Sequence, residues 1–185
     1  MKDFFDILRE CPLFDQIGDE NLDEMLGCLG AKKCSYKKGD TVLAEGDKAK
    51  YLGIVLKGSV QLVRVDYYGN RSILTSIEPP QLFGEAFAFA GLDSVPVDVV
   101  AAEDTDILLT DAMHIARPCE NACAFHRQMT LNLLQIVARK NLVLHRKIEI
   151  TSKRSTREKL MTYLLLQAKK AGSNPFTIPY DRQEL

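Results

Sequence analysis

Between Ala31 and Thr110, short runs of Val, Ile, Leu and Tyr alternate with glycine-bearing turns. That spacing restricts the region to a compact antiparallel roll. Residues 41–44, 51–56, 60–65 and 71–77 have the two-residue period of strands. Their separators, Lys38-Gly39-Asp40, Glu45-Gly46-Asp47, Lys57-Gly58 and Tyr68-Gly69-Asn70, supply turn chemistry. Pro79-Pro80 ends the fourth strand, and residues 95–100 and 106–110 supply two more.

Helical periods flank this region. Residues 2–10 read as a short amphipathic helix with Phe4, Phe5, Ile7 and Leu8 inward, broken by Pro12. Asp19 is placed to cap a second helix running to about Leu29. From about Cys119 the pattern is helical for a long stretch, and a helix over 120–150 would be about 45 Å long. Phe125, Met129, Leu133, Ile136, Leu144 and Ile148 form one apolar band, with Leu131, Leu134, Ala138 and Leu142 beside it. Two bands imply one face against the roll and one against a second copy of the chain. Thr151-Ser152 is read as the cap of a further helix over 157–171, stopped at Gly172. Phe176-Thr-Ile-Pro179 reads as a short strand, and residues 180–185 as one turn of another helix.

The chain has 185 residues with a formal net charge of −1, but the charge is unevenly distributed. The segment 139–170 carries Arg139, Lys140, Arg146, Lys147, Lys153, Arg154, Arg157, Lys159, Lys169 and Lys170 against Glu149 and Glu158. Such a segment suits a nucleic-acid partner, although a solvated helix face reads the same way. No apolar stretch approaches the roughly 18 residues needed to span a bilayer, and the start lacks a signal-peptide layout, so a cytoplasmic location is expected. The five cysteines, Cys11, Cys28, Cys34, Cys119 and Cys123, show no paired CxxC pattern and are expected to be reduced. Cys119 and Cys123, four apart, leave a redox role open beside a packing role. His114, His126 and His145 are too scattered for a zinc site. All three lie outside the strand region, which sets aside a metal enzyme built on a cupin-type roll; no enzyme is expected.

These features together resemble the catabolite-activator/FNR (CRP/FNR) family of bacterial transcription regulators along nearly the whole chain. The carriers are Cys11-Pro-Leu-Phe14, Tyr36-Lys-Lys-Gly39-Asp40, Glu45-Gly46-Asp47, Val55-Leu-Lys-Gly58-Ser-Val60 and Phe83-Gly84-Glu85. The long helix, Arg157-Glu-Lys-Leu160 and residues 176–185 continue the match. The resemblance implies an α+β chain with a cyclic-nucleotide-binding-like antiparallel β-roll, a dimerisation helix and the start of a winged helix-turn-helix. Residues 1–118 would form the N-terminal helices and sensing roll, 119–150 the dimerisation helix, and 151–185 an incomplete DNA-binding domain. The partners implied are a second copy of the chain, a small-molecule effector, and DNA through the C-terminal domain of a longer parent. No membrane is implied.

By that resemblance the effector site comprises Phe83, Gly84, Glu85, Ala86, Val95 and Pro96. Gly84 would offer a backbone donor and Glu85 a ribose-hydroxyl acceptor. In relatives that bind cyclic nucleotides, arginine followed by serine or threonine pairs the phosphate where Val95-Pro96 stands here. Valine cannot pair a phosphate, and proline has no N–H to donate. Cyclic AMP is therefore not the expected effector, and a less charged ligand against Phe83, Phe87, Phe89 and Val97 is the alternative. No cofactor is certain. DNA contacts are expected from Arg154, Arg157, Lys159 and Arg182, and dimerisation from Phe125, Met129, Leu133, Ile136 and Leu144. A stand-alone module that regulates a protein partner is the competing function.

Overall fold

The glycine-turn pattern folds into two four-stranded antiparallel sheets in the computed structural model, which describes residues 4–116, 124–173 and 175–178. The first sheet has β1 (Lys32–Tyr36), β3 (Tyr51–Lys57), β6 (Leu82–Phe83) and β8 (Thr105–Asp111), ordered β1-β8-β3-β6. The second has β2 (Thr41–Leu43), β4 (Val60–Val65), β5 (Arg71–Ile77) and β7 (Asp98–Ala101), ordered β2-β7-β4-β5. Five helices accompany the early and middle chain: α1 (Phe5–Glu10), α2 (Asp19–Cys28), α3 (Glu85–Phe89), α4 (Met113–Ala116) and the long α5 (Ala124–Thr151). Last comes α6 (Thr156–Ala171). The chain divides into two units, 1–137 and 138–185, with α5 running from the first into the second.

Alternation along β3 explains how one sheet serves two cores. Leu52, Ile54 and Leu56 join Leu82 and Leu108 in a cluster with α1, α2 and the first turns of α5. Val55 turns the other way, into the roll interior with Val42, Leu43, Val60, Ile77, Phe83, Val99 and Ile107. The first sheet is thus covered on both faces, whereas β5 is exposed along most of its length. A β-carbon added to Gly53 would run into the ring of Phe83, so the ring lies directly on the β3 backbone.

In the helical cluster, Met129, Leu133 and Ile136 of α5 pack with Leu8, Leu13, Phe14, Leu22 and Met25. A buried asparagine fixes this junction. Asn132 donates through its side-chain nitrogen to the carbonyls of Leu13 (2.9 Å) and Asp15 (2.8 Å), and accepts from Gln128 (2.9 Å). The Cys11-Pro-Leu-Phe14 segment, a 3-10 turn over Pro12–Phe14, is thereby tied to α5.

Several elements depart from the sequence reading. Gly18, rather than Asp19, caps α2. The strand expected at 95–100 begins at Asp98, because Val95 is committed to the neighbouring turn. β1, β6, α3 and α4 were not anticipated. α6 is capped by Ser155 instead of Thr151-Ser152. The Ser155 hydroxyl accepts from the Glu158 N–H (3.2 Å), and the Glu158 carboxylate accepts from the Ser155 N–H (3.1 Å). Thr151 meanwhile bonds back to the Lys147 carbonyl within α5. Residues 176–178 carry no strand pairing; Pro179, the end of the expected strand, and residues 180–185, where a further helical turn was expected, lie outside the described residues. Among the described residues no helix is long and apolar enough to cross a membrane.

Candidate effector site

Phe83, Gly84, Glu85 and Ala86 sit where β6 passes into α3. Gly84 takes a left-handed conformation (φ 82°), and a β-carbon there would lie 2.5 Å from the Tyr51 carbonyl oxygen. Its carbonyl accepts the Ala88 N–H, opening α3. Glu85 is buried, Ala86 is exposed, and Phe83 fills the roll interior.

Val95 is anchored elsewhere. Its N–H donates to the Asp47 carbonyl (2.8 Å), and its carbonyl accepts the Gly46 N–H (2.9 Å). A bridge between Lys48 and Ser94 extends this pairing. Gly84 abuts Tyr51 and Val95 abuts Gly46 and Asp47, so both halves of the candidate site border the same segment of chain. The Val95 side chain is only 2% exposed and that of Val97 only 5%. Pro96 is half-buried. Asp98 bonds the Glu45 backbone N–H (2.8 Å) and so ties down the same turn.

The charges on this segment are mixed, since Lys48 and Lys50 stand beside Glu45 and Asp47. No lysine, arginine or histidine occurs between Gly84 and Met113. Arg64 and Arg71 are exposed on β4 and β5. The four apolar residues proposed to line a pocket are not equivalent: Phe83 and Val97 are buried, Phe87 is half-buried and Phe89 is exposed. A cavity of about 740 Å³ opens along α5, beside Arg127, Gln128, Thr130, Leu131 and Leu134. Among the described residues no group of three or more His, Cys, Asp or Glu side chains is placed to hold a metal ion.

The expected dimerisation residues require a correction. Met129, Leu133 and Ile136 are buried in the chain's own core, and Phe125 is half-buried against it. Only Leu144 of the five is exposed. The reason is the N-terminal helical layer, which needs an apolar partner and takes this band. The outward apolar residues are Leu131, Leu134, Val137, Leu142, Val143, Leu144 and Ile148. Of the expected DNA-contacting residues, Arg154 and Arg157 are exposed, Lys159 is half-buried and Arg182 lies outside the described residues.

A roll of two antiparallel sheets, with helices packed on one sheet and a long helix following it, defines a sensor domain of the cyclic nucleotide-binding type. Residues 33–121 match the family model of the cyclic nucleotide-binding domain. The cyclic AMP receptor protein of Thermus thermophilus is 26% identical over 171 residues, covering 91% of this chain and 74% of the relative. The crystal structure of the Thermus thermophilus catabolite activator protein matches with a TM-score of 0.61 at 25% identity, over 76% of this chain and 63% of that one. The sensor domain of the transcriptional regulator DNR from Pseudomonas aeruginosa shares the fold, with a TM-score of 0.63 at 20% identity, over 80% of this chain and 93% of that one. These likenesses support the resemblance to the catabolite-activator/FNR family.

Proposed function

We propose that the chain is the sensor and dimerisation part of an effector-responsive transcription regulator that does not use cyclic AMP. The observation that carries this reading is the buried Val95 followed by Pro96, at the position where a cyclic phosphate needs a cation and backbone donors. A phosphate brought there would meet an apolar side chain and a residue with no N–H, with Asp93 and Asp98 nearby in sequence. An uncompensated buried charge costs several kcal/mol, a large part of the roughly 8 kcal/mol of a micromolar complex. The residues do not fit a cyclic nucleotide. A less charged effector, held near Glu85, fits them better.

Dimerisation is supported by the outward face of α5. Leu134, Val137, Asn141, Leu144 and Ile148 follow spacings of three and four, the a and d positions of a heptad, and each is exposed. Asn141 falls at an a position, where a paired asparagine favours parallel, in-register dimers. In this reading 1–118 senses, 119–150 dimerises and 151–185 opens a DNA reader, in a cytoplasmic regulator. Exposed Arg154 and Arg157 suit phosphate contacts, which position a protein on DNA without specifying sequence. Effector binding would shift the balance between two dimer states.

Isothermal titration calorimetry with cyclic AMP and cyclic GMP tests the effector claim. No heat of binding is expected up to millimolar nucleotide. Micromolar binding of either would overturn it.

A further inference from the structure

The end of α2 meets α5 through a thiol and an imidazole that the effector site does not use. Cys28 Sγ lies 3.6 Å from His126 Nε2. Cys28 is half-buried, whereas His126 is only 6% exposed. The imidazole is held in place by stacking on Phe125, with ring centroids 5.2 Å apart. Its other nitrogen, Nδ1, is buried with no hydrogen-bond partner among the described residues. The tautomer of a histidine is set by the bond that its second nitrogen makes. With Nδ1 unpinned, Nε2 can give or take a proton toward the sulfur.

The backbone around Cys28 does not oppose this. A helix C-terminus normally disfavours an anion because its last carbonyls are unsatisfied. Here the Leu29 carbonyl accepts from both the Thr110 hydroxyl (2.6 Å) and His114 Nδ1 (2.8 Å). That leaves a half-buried cysteine beside a buried imidazole.

We propose that Cys28 is a thiol-modification site, activated by His126, whose substrates are low-molecular-weight disulfides. The Cys28 proton passes to His126 Nε2, and the thiolate attacks one sulfur of the disulfide. The substrate S–S bond breaks as the Cys28 mixed disulfide forms, and the leaving thiolate takes the proton back from the imidazolium. The electrons balance, because the small disulfide is the oxidant. The product places bulk on a sulfur that otherwise contacts α5. Met25, Leu26 and Leu29 of α2 share a core with Met129 and Leu133 of α5, so modification loads the sensor–helix junction.

The chain carries its own control in Cys34, half-buried on β1 and without an imidazole within bonding distance among the described residues. The reduced full chain is pulsed with iodoacetamide, and separately with oxidised glutathione, at about pH 6.5, where an ordinary thiol of pKa about 8.5 is roughly 1% thiolate. Peptide mass spectrometry then gives a rate for each cysteine. Cys28 is expected to react about tenfold or more faster than Cys34. His126→Gln should bring it down to the Cys34 rate, with circular dichroism confirming the fold. Equal rates at Cys28 and Cys34 in the unmutated chain would overturn the proposal, even if the variant failed to fold. So would an undiminished Cys28 rate in folded His126→Gln.

Discussion

Gly84→Ala offers the sharpest test of how the effector loop is built, because Gly69 supplies a matched control. Both glycines have φ of 82°. Alanine in a left-handed conformation costs roughly 1–2 kcal/mol at either place. Alanine also lowers the entropy of the unfolded chain, but equally at both sites, so this cancels in the comparison. The surroundings differ: a β-carbon at Gly69 meets nothing within 4 Å, whereas at Gly84 it lies 2.5 Å from the Tyr51 carbonyl oxygen. That oxygen belongs to a strand paired on both sides, β3 with β6 and β8, and cannot swing away like a side chain. Overpacking of this kind adds about 1–3 kcal/mol. Gly84→Ala is therefore expected to cost about 2–5 kcal/mol in total, a fall in Tm of roughly 4–20 °C at about 2–4 °C per kcal/mol for a chain of this size. Gly69→Ala should cost only the strain. The assay is thermal and urea unfolding of the two variants, followed by far-UV circular dichroism. Equal losses would refute the claim that contact with Tyr51 dictates glycine at position 84.

Two further outcomes are expected. Leu134→Glu should weaken any dimer by about 100-fold or more, since it places an unpaired charge in a heptad core, while leaving the monomer folded; Met129→Ala should instead cost the fold about 2–5 kcal/mol. Sedimentation equilibrium beside thermal melts separates the two effects, and dimerisation unchanged by Leu134→Glu would remove that face from the interface. Asp106 is held below the usual carboxylate range, first by the Ser35 hydroxyl and then by Lys33. Its folded pKa is below its unfolded one, so its contribution is present above the unfolded value of about 3.9 and is lost as pH falls through the folded value. Tm should therefore fall less steeply below about pH 4 in Asp106→Asn than in the unmutated chain. Identical acid limbs would contradict the assignment.

The parts legible in the sequence are those where one local signal decides the structure. β4 and β5 were readable to the residue because two runs bearing Val, Ile and Leu flank the turn Tyr68-Gly69-Asn70. β1 was not, because Lys32-Lys-Cys-Ser-Tyr36 lacks alternating apolar residues and pairs on one side only, with β8. The Ser155/Glu158 capping box was present as S-x-x-E and is a stronger start signal than Thr151-Ser152. For α5, periodicity revealed two bands but could not say which met the chain's own helices. That choice rests on long-range partners such as Leu8 and Leu13, and on Asn132 reaching the carbonyls of Leu13 and Asp15. The Cys28–His126 contact joins residues 98 positions apart and leaves no local signature. At the effector site the missing arginine was visible in the sequence, whereas the burial of Val95 and Val97 was not.

That burial changes what Phe83-Gly84-Glu85 signifies. Each of its first two residues has a packing reason that requires no ligand. Phe83 lies on Gly53 and fills the roll interior, and Gly84 takes the one conformation that lets β6 turn into α3 beneath the Tyr51 carbonyl. A chain can therefore retain the motif for the roll alone while changing its effector. On the proposed reading specificity lies in Val95-Pro96, although Val95 also has a structural duty in holding the 46–51 turn. Restoring Arg-Ser there would introduce a cation where the described structure keeps an apolar side chain 2% exposed. The substitution would gain phosphate affinity only if the 46–51 turn moved, because Val95 is bonded at both its N–H and its carbonyl to that turn.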